Sequence, residues 1–216
     1  MSICRLCCRD PENERWNTPL FETENFIAIP SLGSMIEGWV LLLPKQHYIC
    51  IGALPTRLID EMEDLKQTVV RFLQEVYGSV SIFEHGPHIV NSLVGCGVDH
   101  AHLHLLPVGF DLRSAAAPFL PTDVVWQNAT ITECRRAFTK SNDYLYLEQP
   151  IGQGFIATHD KFKGQLFRQA IASGLGILPK YNWREFAYMD NVETTIARAR
   201  IWDKDRACPT KIRTAA

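Results

Sequence analysis

Apolar and polar residues alternate in blocks that change period along the chain. Asn25–Ile29 and Trp39–Leu43 are short apolar runs separated by Pro30, Ser31, Gly33, Ser34 and Gly38, which predicts a strand, a loop and a strand in an antiparallel meander. From Thr56, a suitable N-cap, apolar residues recur at Leu58, Met62, Leu65, Val69, Phe72, Leu73 and Val76. That spacing predicts one long helix, stopped by Gly78. Ser79–Phe83, His88–Leu93 and Ala101–Leu106 read as three further strands, parted by Gly86-Pro87 and Gly95-Cys96-Gly97. Two strands, a long helix and three strands make an α+β layer.

Past Pro107 the character changes. The Ala/Pro-rich stretch Ser114–Pro121 reads as a linker, followed by a helix at Ile131–Lys140 and strands at Tyr144–Glu148 and Gly154–Thr158. Helical spacing returns over Gly164–Leu175, and an aromatic segment, Tyr181–Tyr188, leads into a last helix at Val192–Trp202. The expected organisation is a first domain over 1–110 and an α/β extension over 111–216.

Composition narrows the function. The 216 residues are 46% hydrophobic with a formal charge of −2 and no basic block, so a polymeric nucleic-acid partner is not expected. No apolar run reaches the ~20 residues of a membrane span, and MSICRLCCRD is too polar for a signal peptide, so a cytoplasmic location is expected. Seven cysteines, an odd number opening on a Cys-x-x-Cys, fit a metal site in a reducing compartment better than a disulfide framework. Cys50, Cys96, Cys134 and Cys208 are expected to be free thiols.

The strongest chemical signal is Asp99-His100-Ala101-His102-Leu103-His104-Leu105-Leu106. On a strand, histidines at every second position share one face while Ala101, Leu103 and Leu105 turn to the core. Such a row suits metal binding or attack on phosphorus by an imidazole whose neighbours hold the phosphate. The Gly95-Cys96-Gly97 turn permits close backbone approach, so its N–H groups could cradle phosphate oxygens. Glu84-His85 before Gly86-Pro87 is a second polar cluster. Downstream, Gln165, Arg168, Trp183 and Arg184 are the residues best suited to reach a ligand, by bidentate pairing or stacking.

The histidine row resembles the signature of the histidine triad (HIT) family, His-φ-His-φ-His-φ-φ with φ apolar. Gly38-Trp39-Val40-Leu41-Leu42-Leu43-Pro44-Lys45-Gln46-His47 is similar to that family's Gly-His-x-Leu-φ-φ-Pro-Lys-x-His segment. The resemblance covers about residues 1–110 and implies a HIT-like antiparallel sheet with one long helix. It also implies that His102 attacks the α-phosphate of a nucleotide derivative and that His104 contacts phosphate. In zinc-containing relatives the ligands are a Cys-x-x-Cys, the histidine after the Pro-Lys turn and the first histidine of the row. Their equivalents here are Cys4, Cys7, His47 and His100, with Cys8 an alternative to Cys7. The candidate substrate-binding set is Ser31, Asn91, Gly95, Cys96, Gly97 and Arg168. Ile29-Pro30-Ser31 stands where typical members place an acid or asparagine for the ribose hydroxyls. Cys96 and Gly97 stand where they place Gln, Ser or Thr.

The resemblance implies a homodimeric enzyme that cleaves a nucleoside monophosphate from a phosphoanhydride, phosphoramidate or phosphoester through a nucleotidyl-histidine. A transferase or phosphorylase would use an acceptor other than water. A nucleotide sensor with an inactive triad, or a catalytic metal on the histidine row itself, are the readings from other classes.

Overall fold

The structure is a computed structural model and describes residues 4–7, 9, 10, 12, 14–95, 98–150 and 152–207. Among these, eight strands form one sheet: β1 (Phe21–Glu22), β2 (Phe26–Pro30), β3 (Val40–Pro44), β4 (Ser81–Gly86), β5 (Leu103–Leu106), β6 (Gln127–Asn128), β7 (Tyr144–Glu148) and β8 (Gly154–Thr158). Their order is β1-β2-β3-β5-β4-β7-β8-β6, and every neighbouring pair is antiparallel. Five helices accompany them: α1 (Ile59–Val76), α2 (Leu112–Ala116), α3 (Ile131–Thr139), α4 (Leu166–Gly174) and α5 (Met189–Ala207). The α+β layout with one long helix after the first strands is the one the sequence predicts. None of these helices is long and apolar enough to cross a membrane.

Both faces of the sheet are covered, which is why β2 and β3 are buried at every position rather than at alternate ones. On one face Ala28, Val40, Leu42, Ile82, Leu103 and Leu105 pack under α1 and α3. Directly paired residues of an antiparallel ladder share a face, so the pairs Leu41↔His104 and Phe83↔His104 place both neighbours of His104 on the other side. That second face carries two separate apolar clusters. Trp39, Phe83, Leu145 and Leu147 lie under α2 and α4; Ile27, Ile29, Leu41 and Leu43 lie under Val192 and Ile196 of α5, with Leu6 and Trp16. The histidine row runs between the two.

Three local expectations are corrected. Thr56 makes no side-chain cap; it opens a 3₁₀ turn, Thr56–Leu58, that runs straight into α1. His88–Leu93 is not a strand. Pro87 has no N–H to offer a ladder, and nearby carboxylates take the donors that follow. Asp143 accepts from His88 N (2.9 Å) and Ser92 Oγ (2.5 Å), while Asp99 accepts from Asn91 N (2.8 Å), with Asn91 at φ 60°. Ser114–Pro121 is not a linker either. Asp111 caps α2 through Ser114 N (3.0 Å), and Leu112 and Ala116 are fully buried against α4. Cys50 and Cys134 are free thiols as expected; Cys96 and Cys208 lie outside the described residues.

Candidate functional site

Cys4, Cys7, His47 and His100 come together from the N-terminal turn, the loop after β3 and the approach to β5, with one donor atom of each within 4.8 Å of the others. His100 donates Nε2–H to the carbonyl of Pro44 (2.9 Å), which leaves Nδ1 turned to the thiols of Cys4 (3.5 Å) and Cys7 (3.4 Å). Cys7 Sγ also lies 3.3 Å from His47 Nδ1. A tetrahedral centre with bonds of about 2.3 Å to sulfur and about 2.0 Å to nitrogen sets S and N roughly 3.5 Å apart. The donor set therefore fits a four-coordinate metal. Burial pushes His100 down to about 4, so its ring is neutral and can ligate. Cys8 lies outside the described residues.

Beside this cluster is a cavity. His102 and His104 form part of its wall, together with Ser31 from the end of β2 and Arg168 from α4. His102 Nδ1 sits 2.6 Å from the carbonyl oxygen of His100. A carbonyl only accepts, so Nδ1 carries the hydrogen and Nε2 keeps its lone pair. Burial holds the His102 pKa below its ordinary value, with that carbonyl pulling the other way.

His104 has the opposite tautomer. The indole N–H of Trp39 donates to His104 Nδ1 (3.0 Å), and an indole can only donate, so the hydrogen of His104 is on Nε2. Its ring stacks on Phe83, centroids 4.3 Å apart, and burial drives its pKa well below the usual range. An imidazole nitrogen with its lone pair and a fixed N–H donor are thus neighbours, with ring centroids 4.8 Å apart.

Arg168 is 3% exposed, donates to the carbonyls of Tyr181 (3.0 Å) and Gly33, and lies 4.7 Å over the Trp39 ring. Gly33 permits this close fit: at φ 77°, a Cβ there would stand 2.5 Å from Trp183 Cβ. Among the described lining residues the formally charged ones are Arg5 and Arg168, both cationic, which favours an anionic ligand. Leu6, Trp16, Leu32, Leu41, Val98 and Trp183 supply apolar walls.

Asn91 and Gly95 are not among the described residues that line the cavity, nor are Gln165 and Arg184, and Cys96 and Gly97 lie outside the described residues. Glu84 is turned to the opposite face, where it accepts from Ile51 N (2.7 Å) and Tyr144 Oη (2.5 Å), and burial pushes its carboxyl up to about 8. Its work is structural. The residue that sequence reasoning missed is Trp39. The available signal was its place in the Gly38-Trp39 pair, where the resembled segment has histidine.

No family model matches the chain. Over 210 residues it is 24% identical to CWF19-like protein 1 of Homo sapiens, and to the same degree to those of Mus musculus and Pongo abelii, an alignment that takes in 90% of this chain. The chain spans 36% of the length of each of these curated relatives. Among solved structures it is similar to a hypothetical histidine triad nucleotide-binding protein of Sulfolobus tokodaii, at 18% identity and TM-score 0.40, covering 50% of this chain and 71% of that one. It is also similar to a yeast Ap4A phosphorylase in complex with AMP, at 16% identity and TM-score 0.41, covering 72% and 63%. A Hit-like protein of Bartonella henselae gives 14%, 0.37, 57% and 85%.

Proposed function

We propose that the protein is a histidine triad hydrolase that releases a nucleoside monophosphate through a nucleotidyl intermediate on His102. The observation that carries this reading is the tautomer of His102: Nδ1–H is tied to the His100 carbonyl, and Nε2 stays available at a cavity that also holds Arg168. In the first step the Nε2 lone pair forms a bond to the α-phosphorus while the bond from phosphorus to the leaving group breaks. The leaving group departs with that electron pair and takes a proton from solvent. The His100 carbonyl stabilises the positive charge gained by the imidazole. His104 Nε2–H and Arg168 stabilise the charge that builds on the phosphoryl oxygens. Water then attacks phosphorus, the N–P bond breaks, and neutral His102 returns with the nucleoside monophosphate free. In this reading Trp183 and Trp16 offer the base an aromatic wall.

The same reading assigns zinc to Cys4, Cys7, His47 and His100. Bound there, zinc supplies a structural tie between the N-terminal turn and the sheet.

Rapid quenching with substrate labelled at the α-phosphate should trap label on a peptide containing His102. His102→Ala should abolish turnover and keep nucleotide affinity. Turnover close to wild type in that variant refutes the mechanism.

A further inference from the structure

The polar pair Glu84-His85 is divided by the pleat of β4. Glu84 faces α1 and α3, and His85 faces the cavity. The ladder Ser81↔Leu106, Ile82↔Leu105, Phe83↔His104 puts Phe83 on the face of His104, and His85, two residues along β4, lies on that same face. The ring of His85 is 6.5 Å from that of His104, and the side chain lines the cavity while only 7% of the residue is exposed.

Its hydrogen-bonding state follows from α4. The backbone N–H of Phe167 points at His85 Nε2 (3.4 Å), so that nitrogen accepts and the ring hydrogen is on Nδ1. Nδ1 is buried and has no hydrogen-bond partner among the described residues. Burial pushes the pKa of His85 down to about 3, with His102 and Arg168 adding to the effect, so the ring stays neutral at physiological pH. A buried N–H without an acceptor is rare in folded proteins unless a ligand or water completes it.

We infer that His85 is a fourth histidine of the site, which donates Nδ1–H to a phosphoryl oxygen of the group attacked by His102. The inference rests on the nucleotidyl reading above. His85 enters from β4, His104 Nε2–H from β5 and Arg168 from α4, so donors from three elements converge beside one nucleophile. A neutral donor suits this position. A second full charge next to His102 would compete with the cation that forms there, whereas an N–H dipole stabilises the oxygens without that penalty.

The test compares binding of the adenosine, guanosine, cytidine and uridine 5′-monophosphates with binding of the four parent nucleosides, to the wild-type chain, His85→Phe and His85→Asn. Phenylalanine keeps a flat ring against Phe83 and Phe167 but has no N–H; asparagine returns one near the place of Nδ1. Wild type should bind at least one monophosphate more tightly than its nucleoside. His85→Phe should cut that phosphate-dependent gain about tenfold or more, with nucleoside affinity unchanged, and His85→Asn should recover most of it. An undiminished gain in His85→Phe overturns the role of His85 and leaves the nucleotidyl reading standing. If wild type gains nothing from the phosphate, the nucleotidyl reading and this inference fall together. Should His85→Phe not fold, ¹⁵N spectra of the wild-type histidines decide: the Nδ1–H resonance of His85 should move with the monophosphate and not with the nucleoside, and an unmoved resonance overturns the role.

Discussion

Trp39 shows how one donor sets the chemistry of a neighbour. Its indole hydrogen bond to Nδ1 leaves His104 a single tautomer, and Phe83 beneath the ring removes the freedom to flip. Trp39→Phe keeps an aromatic under Arg168 but frees His104 Nδ1. We expect kcat to fall about 10–100-fold, the usual range for partners that orient an active imidazole, with KM nearly unchanged. The acid limb of the rate profile should move to higher pH, because His104 gains a site at which to take a proton. A steady-state pH series from 5 to 8 reads both effects; a change in KM alone would mean that Trp39 serves only packing.

At the scale of elements, the N-terminal turn is held by side chains more than by backbone. Arg5 reaches Glu14 (2.9 Å), its guanidinium covers Trp16 (5.1 Å), and Leu6 is buried between the two cysteines. With zinc bound, Cys4→Ser or a chelator should lower the melting temperature by roughly 4–8 °C, which corresponds to about 2 kcal/mol in a chain of this size. Initial rates at 25 °C should fall less. Elemental analysis showing no zinc in protein purified without chelator would reject the assignment.

The elements that were legible in the sequence are those whose pattern is local. The 3.6 period of Leu65, Val69, Phe72 and Leu73 gave α1. His88–Leu93 misled because Ile89, Val90 and Leu93, which look like strand residues, are 55%, 55% and 78% exposed; the Asp143 carboxylate, distant in sequence, and the nearby Asp99 decided that loop. In the site, His100, His102 and His104 were legible from alternation alone. The tautomer of His104 and the position of His85 were not, since they depend on strand register and on α4, 65 and 82 residues away in sequence from the nearest partner.

For the molecule as a whole, buried ionisable groups set how stability varies with pH. Glu84, pushed up to about 8, holds a proton in the folded state that the unfolded carboxyl releases above its ordinary 4.5, so its contribution weakens as pH rises between those values. His85, pushed down to about 3, and His104, well below 6.5, stay neutral when folded, whereas the unfolded imidazoles take protons as pH falls through 6.5. Each group contributes a slope of about 1.4 kcal/mol per pH unit within its window. His100, down to about 4, and His102, held below its ordinary value, act in the same sense, so the imidazoles outweigh one carboxyl on the acid side and stability should peak at about pH 6.5–7. Denaturant unfolding between pH 5 and 8.5 should show this maximum, and Glu84→Gln should remove the alkaline decline. A wild-type stability that climbs steadily from pH 6.5 to 8 would contradict it.

The cover over β2 and β3 comes from far along the chain. Val192 and Ile196 close over Ile27, Ile29, Leu41 and Leu43, Thr195 Oγ1 accepts from Gly38 N (2.9 Å), and Arg15 makes a two-point contact with Glu193 (3.1 Å). A ribosome making this chain therefore releases two strands well over a hundred residues before the helix that shields them. Their apolar side chains must wait, exposed or held by chaperones, through a loop closure that is slow because it is long. Synthesis that stalls before residue 192 leaves that face uncovered, a nascent species suited to aggregation rather than to chemistry.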